Sequence, residues 1–244
     1  MILKTEGIVL RTLRYQEQNL ITTLYTREYG IKSFLITGFR SAKSRKKHSY
    51  FQPLSIIDIV FFYRENRDLH KINESKINHL LLDAQTNPVK LSLGLAMIEI
   101  FFDTVKEEEP NEDMYAFLRE IIILLDSSEK RLIQIFIYFL LHLTRFLGFF
   151  PSDDSEDSDK IQFLPREGVF VPVKDQADET AFYLRKFIYA TTVPLPSEDS
   201  CQQITFSPAI KKNLIRTLFE YYHLHIEGFR YPQTMKVFAE LFGD

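Results

Sequence analysis

The sequence predicts an α+β fold, in which a small antiparallel barrel or sandwich is followed by helices. Five β-like segments lie within residues 1–80, with no helical pattern between them. From about residue 87 the apolar residues recur at helical spacing instead. A five-stranded oligonucleotide-binding (OB) barrel has the size of the first part. We therefore place two domains, at residues 1–80 and 81–244.

The five β-like segments combine partial apolar–polar alternation or β-branched residues with turn residues at their ends. They cover residues 5–15, 21–26, 31–37, 54–63 and 69–77. Gly30 and Gly38 follow the second and third segments, Pro53 precedes the fourth, and a polar turn at residues 65–68 precedes the fifth.

The helical part begins at Pro88, which can occupy the first turn of a helix. Asn111 is expected to cap a second helix, and Ser127 or Ser128 a third that runs over residues 129–147. Because this third helix is apolar nearly all round, we expect it at the centre of a core. Further helices are expected at residues 178–189, 208–226 and 234–241.

Two segments interrupt the helices. Residues 152–160 are rich in Asp, Glu and Ser, which predicts an exposed, acidic loop. Residues 163–172 contain Gly168 and predict a β-turn or hairpin.

Composition excludes several classes of protein. The chain of 244 residues is 45% hydrophobic and 26% charged, as in ordinary globular proteins. Its single cysteine, Cys201, excludes an internal disulfide and a four-cysteine zinc site, and fits the cytoplasm. No secretory signal is expected, and no apolar run approaches the roughly 20 residues that span a bilayer.

Charge is distributed unevenly along the chain. Residues 1–80 contain 14 Lys and Arg against 7 Asp and Glu, a net charge of 14 − 7 = +7, and the remainder carries −10. The basic part is therefore the candidate for a polyanionic partner.

A basic loop between the third and fourth predicted strands is the sharpest local signal. Its five cations are expected to contact phosphates: Arg40, Lys43, Arg45, Lys46 and Lys47. Four neighbouring cations are expected to add contacts: Arg11, Arg14, Arg27 and Lys32. A solvated loop that only confers solubility is the alternative interpretation.

Aromatic residues of the first domain are a second candidate feature for nucleic-acid binding. Tyr50 follows the basic loop and is expected to stack on bases. Tyr15, Tyr25 and Tyr29 could extend this platform, whereas Phe34 lies in an alternating strand and is expected in the core.

Catalytic signals are weak, and we expect no enzyme, no cofactor and no metal site. His142 lies on the most apolar helix and is expected to be a core residue with its hydrogen bonds satisfied. His223 and His225 are two residues apart and do not share a helical face. A hydrolase would need a nucleophile or a metal cluster, for which no spacing in the sequence is suited.

Several motifs together resemble the RecO family of bacterial recombination mediators. The motifs are residues 7–12 (Gly-Ile-Val-Leu-Arg-Thr), 24–30 (Leu-Tyr-Thr-Arg-Glu-Tyr-Gly), 52–54 (Gln-Pro-Leu), and 143–151, which end in Leu-Gly-Phe-Phe-Pro. Their order and spacing hold over essentially the whole chain.

This resemblance implies an N-terminal five-stranded OB-type β-barrel followed by an all-helical C-terminal domain. It implies binding of single- and double-stranded DNA, annealing of complementary strands, and partnership with RecR. It also implies binding of the acidic C-terminal tail of single-stranded-DNA-binding protein and indirect help in loading RecA. Such a protein is expected in the cytoplasm, associated with the nucleoid.

The sequence departs from the family at one place. Many members carry a four-cysteine zinc module after the Gly-x-x-Pro motif, and residues 152–160 stand there instead, without a cysteine. We expect no zinc at this position.

The acidic tail of the DNA-coating partner requires a basic rim around an apolar pocket. Candidates in the helical domain are basic residues that follow one another or flank apolar ones: Lys130, Arg131, Arg145, Arg185, Lys186, Lys211 and Lys212. Ordinary helix-surface charges are the competing interpretation. For the whole chain, the alternative function is a generic RNA- or single-strand-binding OB-fold protein without annealing activity.

Overall fold

Five N-terminal strands form a closed barrel in a computed structural model of the chain, in the order β1-β2-β3-β5-β4. The strands are β1 (Ile2–Tyr15), β2 (Asn19–Thr26), β3 (Gly30–Thr37), β4 (Ile56–Phe62) and β5 (Leu69–His79). The structure describes residues 1–16, 19–37, 49–64, 67–106, 109–155, 158–175, 177–191 and 204–234. The predicted five-stranded barrel followed by helices is confirmed.

Strand pairing is antiparallel except where the barrel closes. β3 and β5 run parallel, through the pairs Ser33↔Leu69, Phe34↔His70 and Leu35↔Lys71. β1 pairs with both β2 and β4 and carries a bulge between Val9 and Arg11. A bulge bends a strand, which lets one long strand serve both sides of a small barrel.

Alternation along the strands fills the barrel interior. Inward-facing side chains form one buried cluster, made by Val9, Leu24, Phe34, Phe51, Ile57, Ile59 and Phe61. Phe61 packs edge-on against Phe34, with ring centroids 5.1 Å apart. The predicted core position of Phe34 is confirmed.

The chain divides into two compact units, Met1–Asp126 and Ser127–Asp244. The first unit contains the barrel and helices α1 (Pro88–Thr104) and α2 (Glu112–Ser127), the latter extending one residue past its end. Both predicted helix starts are confirmed. Asn87 Oδ1 accepts a hydrogen bond from the Val89 amide at 3.0 Å, just before Pro88. Asn111 Oδ1 accepts one from the Met114 amide at 3.0 Å.

A single carboxylate organises the connection between β5 and α1. Asp126 accepts hydrogen bonds from the amides of Leu82, Asp83 and Ala84, at 3.1, 2.8 and 2.7 Å. Lys90 Nζ donates to the Asp83 carboxylate at 3.0 Å and to the Asp126 carbonyl oxygen at 2.5 Å. The polar groups of this short connection are therefore satisfied within the first unit.

The second unit contains helices α3 (Leu132–Phe146), α4 (Glu179–Ala190) and α5 (Pro208–His225). Every residue of α3 from Gln134 to Thr144 is buried, which confirms the predicted core helix. The predicted serine cap is wrong, because Ser127 is the last residue of α2 and α3 begins after Arg131. Arg131 adopts a left-handed conformation with φ of 59° and makes no side-chain cap. Asp178 caps α4 and Ser207 caps α5.

A small sheet of order β6-β8-β7 completes the second unit, from strands β6 (Ser152–Asp153), β7 (Ile161–Leu164) and β8 (Val169–Pro172). β7 and β8 pair antiparallel, so the predicted hairpin around Gly168 is confirmed. The last predicted helix, from residue 234, lies outside the described residues from 235 onwards. None of the described helices is long and apolar enough to cross a membrane.

The acidic segment at 152–160 differs from the exposed loop that its composition predicts. Asp153 lies in β6 and Ser155 is fully buried. Arg185 Nε donates to Asp153 Oδ2 at 2.7 Å, and the Tyr189 hydroxyl donates to the same oxygen at 2.6 Å. Burial alone would raise the pKa of the Asp153 carboxyl, but hydrogen bonds from Ser155, Tyr189 and Arg185 lower it to about 2. Asp153 is therefore a structural anchor, because Arg185 compensates its charge.

Candidate nucleic-acid interface

The predicted cations of the basic loop lie outside the described residues: Arg40, Lys43, Arg45, Lys46 and Lys47. Their contact with phosphates remains a prediction. The chain enters this segment from the end of β3 at Thr37 and leaves it at a 3₁₀ turn, Ser49–Phe51.

The four neighbouring cations fall into two groups. Arg11 and Arg14 are exposed on β1. Arg27 Nε donates to Glu112 Oε1 at 3.1 Å, so part of its charge is compensated by α2. Lys32 is half-buried near His70, and the two groups interact electrostatically. Arg11, Arg14 and Arg27 are thus exposed to solvent, and of these three Arg27 is ion-paired with Glu112.

The expected aromatic platform does not form as a unit. Tyr25 is buried, and its ring lies 4.9 Å from Phe101 and 5.8 Å from Tyr115, so the stacking role considered for it is wrong. The physical reason is that Phe101 of α1 and Tyr115 of α2 cover this position of β2. Tyr29 and Tyr50 are half-buried against the barrel core, whereas Tyr15 is exposed.

A basic groove that the sequence analysis missed lies on the outer face of the barrel. We call it the outer groove; it has a volume of about 570 Å³. Its apolar floor consists of Leu35, Phe62 and Leu69, and its cations are Arg64, Arg67 and Lys71. Phe62 is 46% exposed although it is aromatic. The strand register places Lys71 beside both Phe62 and Leu35, so the fold itself brings charge and apolar surface together.

A second groove lies between β3 and the end of α1, inside the same unit. This helix-side groove has a volume of about 590 Å³. Its polar lining comes from β2, β3, the start of β5, the residues just before β5 and the residue that follows Val105: Thr23, Lys32, Ser33, Arg67, Asp68, His70 and Lys106. Both volumes fall in the range of about 300–1,000 Å³ that is typical of ligand pockets.

His70 lies at the wall that the two grooves share. Its ring stacks on Tyr63 at 5.1 Å, and its buried Nδ1 atom has no hydrogen-bond partner among the described residues. Burial, reinforced by the nearby Lys32 charge, lowers the pKa of His70. The ring is therefore neutral at neutral pH and leaves the positive charge of this region to the lysines and arginines.

The candidate partner-binding cations of the second unit occupy several helix positions. Arg185 is bound to Asp153, and the Arg145 guanidinium lies 3.6 Å from the centre of the Phe150 ring. Lys130 is exposed and Arg131 directly precedes α3. Lys186 is exposed on α4, and Lys211 and Lys212 follow the first turn of α5. Arg145 and Arg185 therefore already serve internal contacts.

The site has the chemistry of a binding surface. Cations around an apolar, partly aromatic floor suit the phosphates and bases of a single strand. Among the described residues, no group of three or more His, Cys, Asp and Glu side chains could hold a metal ion. A closed five-stranded barrel with such grooves is typical of the small-barrel proteins that bind nucleic acids.

Comparison with known proteins identifies the family. Residues 1–80 match the model described as Recombination protein O N terminal, and residues 85–234 match Recombination protein O C terminal. The chain is 29% identical over 248 residues to the DNA repair protein RecO of Christiangramia forsetii, and 30% identical over 252 residues to that of Phocaeicola vulgatus. Both comparisons cover 100% of each chain. The chain therefore belongs to the RecO family of DNA repair proteins.

Proposed function

We propose that the protein is a non-enzymatic mediator of DNA repair and recombination. It binds single- and double-stranded DNA and anneals complementary strands. With RecR it helps to load RecA onto DNA that is coated by single-stranded-DNA-binding protein, in the cytoplasm at the nucleoid. The observation that carries this proposal is the outer groove, because it combines three cations with an apolar floor on a barrel of a DNA repair family.

Binding depends mainly on phosphate contacts. Arg64, Arg67 and Lys71 neutralise phosphates and release their counterions, while Phe62 offers a ring on which a base can stack. The basic loop adds further cations. About five phosphates neutralised by the loop alone contribute roughly −3.5 to the slope of log affinity against log salt on single strands.

Annealing follows from the same contacts, since it requires no bond chemistry. Two strands repel each other through their phosphates, and bound cations reduce this repulsion. Holding the strands close together also raises their local concentration. Sequence preference is slight, because backbone contacts do not read base edges.

In this proposal the protein also binds a second ligand, the acidic tail of single-stranded-DNA-binding protein. Five of the predicted cations are the candidate contacts, because Arg145 and Arg185 already contact Phe150 and Asp153: Lys130, Arg131, Lys186, Lys211 and Lys212. Substitution of each candidate by Ala, followed by titration with a peptide of the tail sequence, identifies which cations contribute.

Annealing of complementary oligonucleotides coated with single-stranded-DNA-binding protein tests the main proposal. We expect fast annealing that slows as salt rises. Replacing Arg40, Lys43, Arg45, Lys46 and Lys47 by Ala should remove most binding and annealing while circular dichroism stays unchanged. A control variant removes the exposed cations Lys160, Arg166 and Lys174 of the second unit. Binding without annealing would instead support a generic single-strand-binding barrel, and the absence of binding would refute the proposal.

A further inference from the structure

We propose that a single chain holds two DNA strands at once, one in the outer groove and one in the helix-side groove, with Arg67 as the cation that both strands share. This inference rests on the proposed function and assigns it a place on the barrel. The described residues around the β4–β5 turn carry it.

The two grooves are neighbours on the barrel. They share three lining residues, Arg67, Asp68 and His70. The parallel β3–β5 seam is only three residue pairs long, from Ser33↔Leu69 to Leu35↔Lys71. Leu35 and Lys71 line the outer groove, whereas Ser33, at the other end of the seam, lines the helix-side groove. The short seam and the turn thus separate two neighbouring paths.

Each groove also has cations of its own. Arg64 and Lys71 line only the outer groove, whereas Lys32 and Lys106 line only the helix-side groove. The two volumes, about 570 and 590 Å³, are nearly equal. Each groove therefore has space and two cations of its own, besides the shared Arg67, with which to attract a phosphate backbone.

The linings of the grooves suggest different roles. The outer groove has the exposed Phe62 ring and two leucines, which suit bases as well as phosphates. The helix-side groove carries the hydroxyls of Thr23 and Ser33, whose oxygens are 3.4 Å apart. Hydroxyls and cations hold a strand by its phosphates and sugars. A strand held this way keeps its bases free, as pairing with an incoming complement requires.

The main electrostatic obstacle to this arrangement is the repulsion between the two phosphate backbones, and the positive charge of Arg67 reduces it. Two backbones on either side of one side chain lie within the Debye length of about 10 Å, so solvent ions screen their repulsion only in part. A guanidinium between them attracts both. The adjacent Asp68 carboxylate also lines both grooves and offsets part of the positive charge there.

Native mass spectrometry can count the strands on each chain. The probe is a non-complementary pair of poly-dT oligonucleotides of different mass, about 8 nucleotides long, within the site size of about 4–16 nucleotides for a small barrel. We expect complexes of one chain with two oligonucleotides. Arg64→Ala/Lys71→Ala and Lys32→Ala/Lys106→Ala should each retain one strand, lose the second, and slow annealing at least tenfold. Arg67→Ala should weaken both sites.

The control variant Arg166→Ala/Lys174→Ala removes the same charge from the second unit and should keep two strands. Lys32 is half-buried, and its substitution could impair folding. The single variant Lys106→Ala therefore repeats the test of the helix-side groove at an exposed residue. One strand per wild-type chain at saturation, or two strands on either groove variant, would overturn the inference while leaving the proposed function intact. No binding of any oligonucleotide would instead overturn the proposed function.

Discussion

Gly168 lies directly beneath the hydroxyl group of Tyr221. A Cβ atom built on Gly168 would stand 2.5 Å from Tyr221 Oη, closer than any real contact allows. The Tyr221 hydroxyl donates a hydrogen bond to the carbonyl oxygen of Phe149, so it is not free to move away. Gly168 also has a φ of 69°, in the left-handed region. The tip of the β7–β8 hairpin is therefore limited to glycine by two independent constraints within the second unit.

Gly168→Ala should lower the free energy of unfolding by about 1–3 kcal/mol, as measured in urea, through backbone strain and the contact with Tyr221. In a Tyr221→Phe background this loss of unfolding free energy should be smaller, because the Tyr221 hydroxyl oxygen, the atom nearest to the new Cβ, is absent. Gly228→Ala is the matched control, since Gly228 has a φ of 75° but nothing within 4 Å of its Cβ position. Equal losses in both backgrounds would show that strain alone restricts position 168.

Acid sensitivity of the second unit should depend on His142. Its Nε2 atom lies 2.9 Å from Thr191 Oγ1, and its ring stacks on Tyr138 at 4.1 Å. Burial, with a contribution from Arg145, lowers the pKa of His142 to about 3. The buried Nδ1 atom has no partner among the described residues, so the expectation of a fully satisfied core histidine is wrong at this atom.

The sign of this pH dependence follows from linkage. Between pH 6.5 and 3 the unfolded state binds a proton at this histidine that the folded state does not, so stability falls as pH falls. At pH 5, which is roughly 1.5 units below the unfolded pKa of 6.5, the free energy of unfolding is lower by about 2 kcal/mol, at about 1.36 kcal/mol for each unit. His142→Gln should flatten the pH profile of urea unfolding, whereas His223→Gln, at an exposed position, should not. An unchanged profile in His142→Gln would assign the acid sensitivity to other groups.

Asp153→Asn should destabilise the second unit by about 1–3 kcal/mol, because Arg185 would lose its ionic partner in a poorly exposed place. The lowered pKa of Asp153 means that this stabilisation persists above about pH 4 and is lost as pH falls through 2. Thermal unfolding of Asp153→Asn against Asp154→Asn measures it, since Asp154 is exposed. Equal melting temperatures for the two variants would contradict the anchoring role.

Removal of the outer-groove cations should change the salt dependence of DNA binding as well as its strength. Arg64→Ala/Arg67→Ala/Lys71→Ala should reduce the steepness of log affinity against log salt by about 2 on single strands, at about 0.7 per lost phosphate contact. Fluorescence anisotropy across a salt series measures this slope. The triple variant at Lys160, Arg166 and Lys174 should keep the wild-type slope. An unaltered slope in the groove variant would remove these cations from the interface.

Phe62→Ala should weaken single-strand binding by about 1–3 kcal/mol per stacked base without altering the salt slope, because it removes a ring and no charge. Phe182→Ala is the control, as Phe182 is 39% exposed in the second unit. The same anisotropy titrations decide the outcome. If Phe62→Ala loses no more single-strand affinity than Phe182→Ala, the apolar floor does not contact bases.

The barrel could be predicted because alternation and turn residues are local signals. Gly30 is the first residue of β3, Arg67 and Asp68 of the predicted polar turn directly precede β5, and Asn111 caps the helix that follows it. The parallel closure between β3 and β5 was not predictable, since it joins segments that are distant in sequence. The ion pair of Asp153 could not be predicted either, because the composition of residues 152–160 does not show that Arg185 contacts this carboxylate.

The candidate site was only partly predictable. Alternation separates the two faces of a strand, but it does not show which outer face is covered by helices, and for this reason the role considered for Tyr25 was wrong. Arg64, Arg67 and Lys71 were missed because Glu65 and Asp68 intervene and lower the local net charge. The available signal was their position within and on both sides of the predicted turn at residues 65–68, where side chains from two strands converge.

The contact of Asp126 with three successive amides has a consequence for how the gene can be divided. A fragment that ends at residue 80 lacks α1 and α2, which cover Tyr25, and exposes Leu54, whose methyl groups fit against Gly94. A fragment that ends at residue 126 keeps these surfaces covered and retains the carboxylate that fastens the connection. The matches to the N- and C-terminal family models meet between residues 80 and 85, whereas the compact unit that contains the barrel extends to Asp126, so the stretch of DNA that encodes it is roughly one and a half times as long.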